Sequence, residues 1–472
     1  MLNLFKNLLG YVHPPEQTFN HLKIEPYAFQ KEGIEFIEKN EGIAMVADEP
    51  GLGKSLQAAA YTTRHHYKTL VVCPAYLKYN WEAEIEKFTY AKSLVIESDN
   101  LPTPMQIDNT EILIINYDII HCPRILSLLS NTILDCIVCD ESHYLMNLKA
   151  KRTRATMQLV RLIPRKIFLS GTPVKARPSQ FFTQLNALHP EIRDFADYKV
   201  FRVKYCGREK IHLGKKAQYN ENCLTELHTK IKPFYIRRLK KDVLKELPAK
   251  QWHPILIKLT ALQQEAYQTI LNSDRYPNPL VKITVAKQYL ANAKTPLITQ
   301  KAIDTIELEK KVAIFSQYVN VLELYKKIFR EKAVMHRGQM TGKERQANVK
   351  AFQEDPNITT FLGNIITAAG YTITAAHTTL VNDLLWDPAD HDQMSDRQHR
   401  IGQKFPVNVY FFLYRNTIET QIYELLCEKR KVTELVQGDR KGKLNTIIDI
   451  RQEIMDSIET KNYLHNSGSR LE

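Results

Sequence analysis

The fold of this chain is decided by residues 46 to 55, Val46-Ala47-Asp48-Glu49-Pro50-Gly51-Leu52-Gly53-Lys54-Ser55. The apolar run 42–47 predicts a buried strand, and the run 56–60 after the stretch predicts the start of a helix. A strand, a glycine-rich turn, Lys-Ser and a helix are together typical of a loop that binds phosphate. Backbone N–H groups converge in such a turn, and the positive end of the helix also favours an anion.

The side chains of this stretch indicate what such a loop would hold. Lys54 is predicted to reach the β- and γ-phosphates of a nucleotide, and the Ser55 hydroxyl to bind Mg²⁺. The general pattern has a glycine five residues before Gly53, where this chain has Asp48. Taken by itself, the stretch therefore also fits an ordinary glycine-rich turn.

Length, charge and cysteine content narrow the class of protein. A chain of 472 residues can form two or three domains, and a net charge of +13 with a pI near 9.1 favours a polyanionic partner, nucleic acid before a membrane surface. No apolar run approaches the length of a bilayer span, and the first residues lack the features of a signal peptide.

Seven scattered cysteines suit a reducing cytosol. Cys136 and Cys139 are predicted to pack in the core, because zinc sites need more ligands than this pair offers.

Strand-like and helix-like patterns alternate in two blocks, which predicts parallel sheets covered by helices. Strands of the first block are predicted at 69–74, 111–117, 134–139 and 166–170, with a helix at 79–88. The second block has predicted strands at 311–316, 358–361 and 380–385 and helices at 319–329, 343–352 and 417–435. In such sheets ligands collect at the carboxyl ends of the strands.

Two adjacent carboxylates, Asp140 and Glu141, end one of these apolar runs. Carboxylates at the end of a buried strand are costly unless they meet a cation. With a phosphate loop upstream, Asp140 is predicted to hold Mg²⁺, and Glu141 to orient or deprotonate an attacking water. The alternative is an acidic helix cap, which the phosphate loop makes the weaker interpretation.

Basic and amide side chains supply further candidates. Between residues 149 and 166 there are seven basic residues and no acidic one, which fits either a solvated face or contact with a phosphate backbone. Gln393, Arg397 and Arg400 share one face of a predicted helix, and two arginines there suit a γ-phosphate; a salt-bridged surface helix is the alternative. Gln30 can offer a donor and an acceptor to an adenine edge, or can be an ordinary surface glutamine.

In this order, the segments resemble the motifs of superfamily 2 helicases, and specifically of the Snf2-like DNA translocases, over residues 22–435. The resemblance rests on Gln30, the phosphate loop 48–55, the segment 72–81, Asp140-Glu141-Ser142-His143, the segment 169–173, the basic signature 237–250, and the segments 314–317, 367–370, 383–388 and 393–403. The chain departs from the family pattern at Pro50, at Ser55, at Asp387 and in having only one glycine, Gly370, in the segment 367–371.

The resemblance implies an α/β fold with two RecA-like lobes, each a parallel sheet covered by helices, joined by helical inter-lobe elements. The implied domains are an N-terminal extension over 1–20, a first, ATP-binding lobe over 21–245, a helical connector over 246–300, a second lobe over 301–435 and a helical tail over 436–472.

The implied activity is ATP hydrolysis, with ATP and Mg²⁺ as cofactors, that drives movement along duplex, forked or branched DNA. The nucleotide-binding residues would be Gln30, Glu49, Gly51, Leu52, Gly53, Lys54 and Ser55. Ser55 and Asp140 would hold the metal. Lys54, Glu141, Gln393, Arg397 and Arg400 would be catalytic. Asn80, Arg152, Thr172 and Thr367 would contact DNA.

The resemblance leaves the biological setting open. A monomeric cytoplasmic, nucleoid-associated or viral enzyme is expected, in preference to a nuclear remodeller. One alternative is a strand-separating or branch-migration helicase. The other is an ATP-gated DNA-binding motor subunit of a larger restriction, repair or remodelling complex.

Overall fold

The computed structural model describes residues 19–175, 177–207, 220–365 and 371–439. The chain divides into two compact units. The first unit consists of Met1–Val46, Gly53–Asp140 and Lys151–Leu169, and the second of Ala47–Leu52, Glu141–Ala150 and Ser170–Glu472. The predicted N-terminal extension, apart from its last two residues, and nearly all of the predicted C-terminal tail lie outside the described residues.

The first unit contains a sheet whose strands are all parallel, in the order β3-β4-β2-β5-β6-β1. These strands are β1 (Ile43–Val46), β2 (Thr69–Cys73), β3 (Ser93–Val95), β4 (Ile112–Asn116), β5 (Cys136–Asp140) and β6 (Arg165–Leu169). Every residue of β2, β4 and β5 is buried, because both faces of a parallel sheet are covered by helices. The long apolar runs of the sequence reflect this double burial.

The helices of the first unit follow the strands in alternation. They are α1 (Ala28–Lys39), α2 (Lys54–Arg64), α3 (Lys78–Phe88), α4 (Pro104–Asp108), α5 (Pro123–Asn131) and α6 (Lys151–Leu162). The chain thus passes from β1 through residues 47–53 into α2, as the opening stretch predicts. The carboxyl ends of β1 and β5 carry the phosphate loop and Asp140.

The second unit contains a parallel sheet in the order β10-β11-β9-β12-β13-β8. Its strands are β8 (Lys250–Ile257), β9 (Val312–Ser316), β10 (Ala333–His336), β11 (Thr360–Asn364), β12 (Thr378–Val381) and β13 (Val407–Tyr414), and the unit also has the short strand β7 (Tyr235–Ile236). In the central strand β9, Ala313 and Phe315 pack into one apolar cluster, and Val312 and Ile314 into another. Both faces of this sheet are therefore covered.

Some helices of the second unit cover the two faces of its sheet, and others precede the strand β8 in the chain. They are α7 (Phe182–Leu188), α8 (Arg193–Ala196), α9 (Tyr198–Tyr205), α10 (Glu221–Ile231), α11 (Lys240–Val243), α12 (Ala261–Asn272), α13 (Pro279–Ala293), α14 (Thr295–Glu309), α15 (Val319–Phe329), α16 (Gly342–Glu354), α17 (Pro388–Ser395) and α18 (Ile418–Gln437).

The structure confirms the predicted fold class, two parallel sheets covered by helices. It also corrects the prediction in detail. Residues Lys250–Ile257, placed in a helical connector, form the edge strand β8, which pairs with β13 over eight residue pairs. Strands β3, β10 and β13 were not predicted. Cys136 and Cys139 lie buried in β5, as the core-packing interpretation requires, and burial raises the pKa of both thiols.

Within the described part of the chain, no helix combines the length and the apolar character needed to cross a bilayer.

Three histidines of the second unit should make its stability depend on pH. Burial lowers the pKa of His336, His391 and His399 from 6.5 to about 4, and Nδ1 of each ring has no hydrogen-bond partner among the residues that the structure describes. Between pH 6.5 and 4 the unfolded chain therefore binds protons that the folded chain does not, so stability falls as the pH falls. The expected slope is about 1.4 kcal/mol per pH unit for each histidine.

Urea midpoints measured between pH 7 and pH 4.5 check this expectation. His391→Gln removes one of the three groups and should flatten the pH dependence, whereas the exposed His121→Gln should not. If the urea midpoints of His391→Gln and of the wild type fall in parallel as the pH falls, the predicted contribution of His391 is refuted.

Candidate nucleotide and nucleic-acid sites

The glycine that opens α2 brings the Gln30 side chain to the phosphate loop. Gly53 caps the helix at φ +75°, a conformation that favours glycine, and a Cβ added there would collide with the Gln30 amide nitrogen. The Tyr27 N–H donates to Gln30 Oε1 over 3.0 Å and fixes the amide. Only 5% of Gln30 is exposed, so the interpretation as an ordinary surface glutamine is wrong.

Asp140 ends β5 with its side chain held by a residue that sequence reasoning missed. The Trp81 indole Nε1–H donates to Asp140 Oδ2 over 2.8 Å, and the Tyr117 hydroxyl donates to the Asp140 carbonyl over 2.9 Å. Only 7% of Asp140 is exposed to solvent. Trp81 stood in the segment 72–81 that carries the family resemblance, so its place in the sequence was a usable signal.

The residues of the first unit fit a magnesium ion by the chemistry of their donor atoms. Mg²⁺ prefers hard oxygen ligands and usually combines one or two protein ligands with substrate phosphates and water. The Ser55 hydroxyl and the Asp140 carboxylate are donors of this kind. No group of three or more His, Cys, Asp and Glu side chains suited to a metal occurs among the described residues. A metal here would therefore depend on phosphate for its remaining ligands.

In the second unit, the first half of the phosphate loop is held by an arginine. Asp48 is fully buried and forms an ion pair with Arg238, with Nη2 to Oδ2 at 2.5 Å and Nε to Oδ1 at 3.0 Å. The Glu49 N–H donates to the Arg238 carbonyl, and the Lys240 N–H donates to Glu49 Oε2. The departure of Asp48 from the general phosphate-loop pattern thus has a structural reason, since it anchors the loop to the segment before α11.

Arg237 binds three segments that are distant in the sequence. Its Nη1 donates to the Ala47 carbonyl at 2.7 Å and to the Gly171 carbonyl at 2.9 Å. Its Nε and Nη2 donate to the two carboxylate oxygens of Asp439 at 2.6 and 2.8 Å. Burial alone would lower the pKa of Arg237, but the Asp439 charge outweighs it and raises the pKa, so the guanidinium is charged.

Glu141 lies next to Asp140 in the chain but has an unusual backbone. Its φ of +46° is in the left-handed region, which is rare for a residue other than glycine and is often found at functional sites. The His143 Nδ1 lies 3.2 Å from Glu141 Oε2 and 3.1 Å from Ser170 Oγ. Glu141, His143 and Ser170 thus form one polar cluster at the start of the segment 170–173.

The loop after β6 packs directly on the phosphate loop within the second unit. A Cβ added to Gly171 would lie 2.8 Å from Cδ and Cγ of Pro50. Thr172 follows with 8% exposure, and its Oγ1 has no hydrogen-bond partner within the described parts of the chain. A buried hydroxyl without a hydrogen-bond partner is unusual in a folded protein.

The segment of the two candidate arginines is not a continuous helix, so the prediction of one helical face was wrong. Helix α17 ends at Ser395, and the chain turns tightly through i→i+3 bonds such as Gln398 N–H to the Ser395 carbonyl. The buried Gln398 side chain bonds to Thr379 and to the Thr378 carbonyl. These tertiary contacts outweigh helix propensity.

The turn nevertheless brings Arg400 to the phosphate loop. A Cβ added to Gly51, at φ +92°, would lie 3.4 Å from Arg400 Cγ and 3.8 Å from its Nε. Arg400 Nη1 donates to Thr372 Oγ1 at 3.0 Å and its Nε to the Asp396 carbonyl at 3.1 Å. Arg397 bonds instead to the Gln393 carbonyl through Nε at 3.1 Å.

Two lysines share the carboxylate of Asp396 just before these arginines. Lys240 Nζ and Lys250 Nζ each lie 2.9 Å from Asp396 Oδ1. Burial would raise the pKa of Asp396, but the two ammonium charges hold it well below its usual range. Burial lowers the pKa of Lys240 to about 8, although the Asp396 charge opposes the shift. The cluster fixes the segment 240–250 to the turn that carries Arg397 and Arg400.

The candidate DNA-binding residues have separate surroundings. In the first unit, Arg152 Nη1 lies 3.8 Å from Asp118 Oδ1, both partly exposed, and Asn80 is half-buried in α3. The first turn of helix α6 has basic residues and no acidic ones. Their positive charges lie at the positive end of the helix dipole, where cations are unfavourable. Thr367 lies outside the described residues. Thr172, in the second unit, lines a cleft of about 340 Å³ together with Lys175, Arg237 and Lys241.

The candidate residues therefore fall into two sets, one in each unit. Gln30, Gly53, Lys54, Ser55 and Asp140 belong to the first unit, and Glu49, Gly51, Leu52, Glu141, Gln393, Arg397 and Arg400 to the second. Leu52 is adjacent to Gly53 in the chain, and Asp140 to Glu141, so covalent geometry alone keeps these pairs together. Parallel-strand ends, a phosphate-loop sequence and adjacent carboxylates are features found in nucleoside-triphosphate-binding enzymes.

Comparison with known proteins gives the family. Residues 29–334 match the SNF2-related domain, and residues 295–402 match the helicase conserved C-terminal domain. The chain belongs to the SNF2-related family and also matches the helicase conserved C-terminal domain.

Similar proteins include the DNA annealing helicase and endonuclease ZRANB3 of Homo sapiens, 29% identical over 90% of this chain and 41% of the relative. The SWI/SNF-related matrix-associated actin-dependent regulator of chromatin subfamily A-like protein 1 of Bos taurus is 28% identical over 86% of this chain and 44% of the relative. The chain spans about two fifths of the length of these relatives. The SWI2/SNF2 ATPase core of Sulfolobus solfataricus, solved in complex with double-stranded DNA, is 23% identical over 89% of this chain and 95% of that chain, with a TM-score of 0.45.

Proposed function

We propose that the chain hydrolyses ATP with Mg²⁺ to translocate along DNA and to remodel duplex, forked or branched DNA. The observation that carries the proposal is the position of Arg400 against Gly51 of the phosphate loop, because an arginine there can stabilise charge on a transferring phosphoryl group. The buried Gln30 amide beside Gly53 supports adenine recognition, and the oxygen donors Ser55 and Asp140 support a metal ion.

Each residue would have a distinct part in this reaction. Lys54 would neutralise the β- and γ-phosphates, and the metal at Ser55 and Asp140 would supply charge stabilisation at the phosphate oxygens. Glu141 would orient or deprotonate the attacking water, with His143 and Ser170 holding its carboxylate. Arg397 and Arg400 would bind the γ-phosphate, and Gln393 would support them through its carbonyl bond to Arg397.

DNA contact is proposed to involve mainly the phosphate backbone, through Asn80, Arg152, Thr172 and Thr367. The basic helix α6 and the net charge of +13 support this, as does the name of the Homo sapiens relative, a DNA annealing helicase. A monomer in a cytoplasmic, nucleoid-associated setting remains the prediction. The predicted lobe boundaries also remain proposals.

Salt dependence tests the backbone proposal. Log affinity for a 30-base-pair duplex of arbitrary sequence should fall linearly with log salt, with a slope of about −0.9 for each phosphate neutralised. Affinity should change little between duplexes of different sequence. Arg152→Ala should reduce the slope by about 1, whereas Arg415→Ala, an exposed arginine outside the basic helix, should not. A salt-independent affinity would show that the basic helix is only a solvated face.

An ATP-gated DNA-binding motor subunit of a larger complex is the second candidate function, because the proposed ATP site and DNA contacts would serve it equally well. Native mass measurement of the purified chain, together with its ATPase activity alone on duplex, forked and four-way DNA, separates the two. Robust DNA-stimulated turnover by a monomer supports an autonomous enzyme.

A further inference from the structure

We propose that Asp439, at the end of α18, is a positioning residue for nucleotide binding that acts through Arg237. Asp439 lies beyond the residues 22–435 that carry the family resemblance, and nothing in the motif pattern assigns it a role. The proposal rests on the proposed function only for the identity of the nucleotide.

Arg237 forms hydrogen bonds to three segments of the second unit at once. Arg237 donates two hydrogen bonds to Asp439 and two to the carbonyls of Ala47 and Gly171. Ala47 precedes Asp48 at the start of the phosphate loop, and Gly171 packs on Pro50 of the same loop. One guanidinium thus fixes both the beginning of the phosphate loop and the segment that supports its middle.

The charge of Asp439 balances the buried charge of Arg237. The Arg237 side chain is 9% exposed and the Asp439 side chain 16%, so the ion pair is largely removed from water. A bidentate carboxylate holds the guanidinium plane in one orientation, which aims Nη1 at the two carbonyls. Without the carboxylate, the Arg237 hydrogen bonds that remain among the described residues go to two neutral carbonyls, and the orientation of the buried guanidinium is no longer fixed.

The end of α18 is itself fixed by contacts with other segments of the second unit. Gly438 ends the helix at φ +79°, and a Cβ there would collide with the His228 ring. His228 Nδ1 lies 3.3 Å from the Val436 carbonyl, and Gln437 Nε2 lies 3.4 Å from the Val174 carbonyl. These contacts fix the position of the helix end, and therefore the position of the Asp439 carboxylate that binds Arg237.

The test combines Asp439→Asn, which keeps the shape and removes the charge, with Asp439→Glu as the conservative variant. The exposed Asp274→Asn of the second unit is the matched control. For Asp439→Asn, KM for ATP should rise about 10-fold, the scale of a lost charge-assisted hydrogen bond. DNA-stimulated kcat should change less than about twofold, because bound nucleotide reorders the loop. Asp439→Glu should restore KM.

Hydrogen exchange separates positioning from general destabilisation without requiring ATP hydrolysis. In Asp439→Asn, amides of the phosphate loop and of the segment 170–174 should exchange faster, whereas those of the central strand Val312–Ser316 should not. Faster exchange in both regions would show a merely structural role, and unchanged exchange with unchanged KM would overturn the proposal. A wild-type chain without any ATPase activity would instead refute the proposed function, while the exchange result would still decide the role of Asp439.

Discussion

Lys54→Ala is expected to abolish ATP hydrolysis while the chain stays folded. Lys54 is the first residue of α2, where its side chain is half-buried, and alanine is a better helix former than lysine, so the helix should persist. The ammonium is the cation that the phosphate loop offers to the β- and γ-phosphates. Its loss should reduce turnover to background in a DNA-stimulated phosphate-release assay.

Two companion variants sharpen this experiment. Lys39→Ala, at an exposed position in the last turn of α1, should keep wild-type turnover. Glu141→Gln should be inactive for a different reason: the phosphate contacts remain but the water is not activated, so ATP should stay bound. Substantial hydrolysis by folded Lys54→Ala would refute the assignment of the phosphate loop.

Arg400→Ala is expected to reduce DNA-stimulated turnover by about 10³-fold or more, the usual scale for a lost arginine finger. Arg400 lies against Gly51 within the second unit, whereas most of the proposed nucleotide contacts come from other residues. ATP binding should therefore weaken much less than turnover. Wild-type turnover should be low without DNA and rise strongly with it.

The substitution also removes the bonds of Arg400 to Thr372 and to the Asp396 carbonyl. Arg400→Lys keeps the charge but not the planar fork, and it should be impaired as well if the geometry matters. The exposed Arg415→Ala controls for loss of a positive charge in the second unit. If the Arg400→Ala enzyme is still fully stimulated by DNA, Arg400 does not complete the site.

The periodic parts of the fold were predictable because burial on both faces leaves continuous apolar runs. Helix α15 was predicted over its observed range Val319–Phe329, and strands β2 and β9 to within one residue. Strand β8 was missed because its eight residues include His253 and Pro254 and are only partly buried at the edge of the sheet. An edge strand needs no apolar run, so its sequence carries little signal.

The candidate site was predictable where a motif is local and unpredictable where it depends on tertiary contact. The sequence indicated the phosphate loop and Asp140, but not that Trp81 binds the Asp140 carboxylate. It predicted one helical face for Arg397 and Arg400, whereas the buried Gln398 side chain draws the chain into a turn. Asp439 could not be found, since its partner Arg237 lies about two hundred residues away in the sequence.

The contact of Pro50 with Gly171 has a consequence for exchanging parts between relatives. The proline ring occupies the volume that any side chain at position 171 would need, at 2.8 Å from the added carbon. The two positions should therefore be exchanged together: a chimera that takes its phosphate loop from one parent and its segment 170–173 from another must keep a glycine opposite the proline. A library that varies position 171 alone would recover glycine, and side chains would be accepted there only after position 50 had been reduced in size.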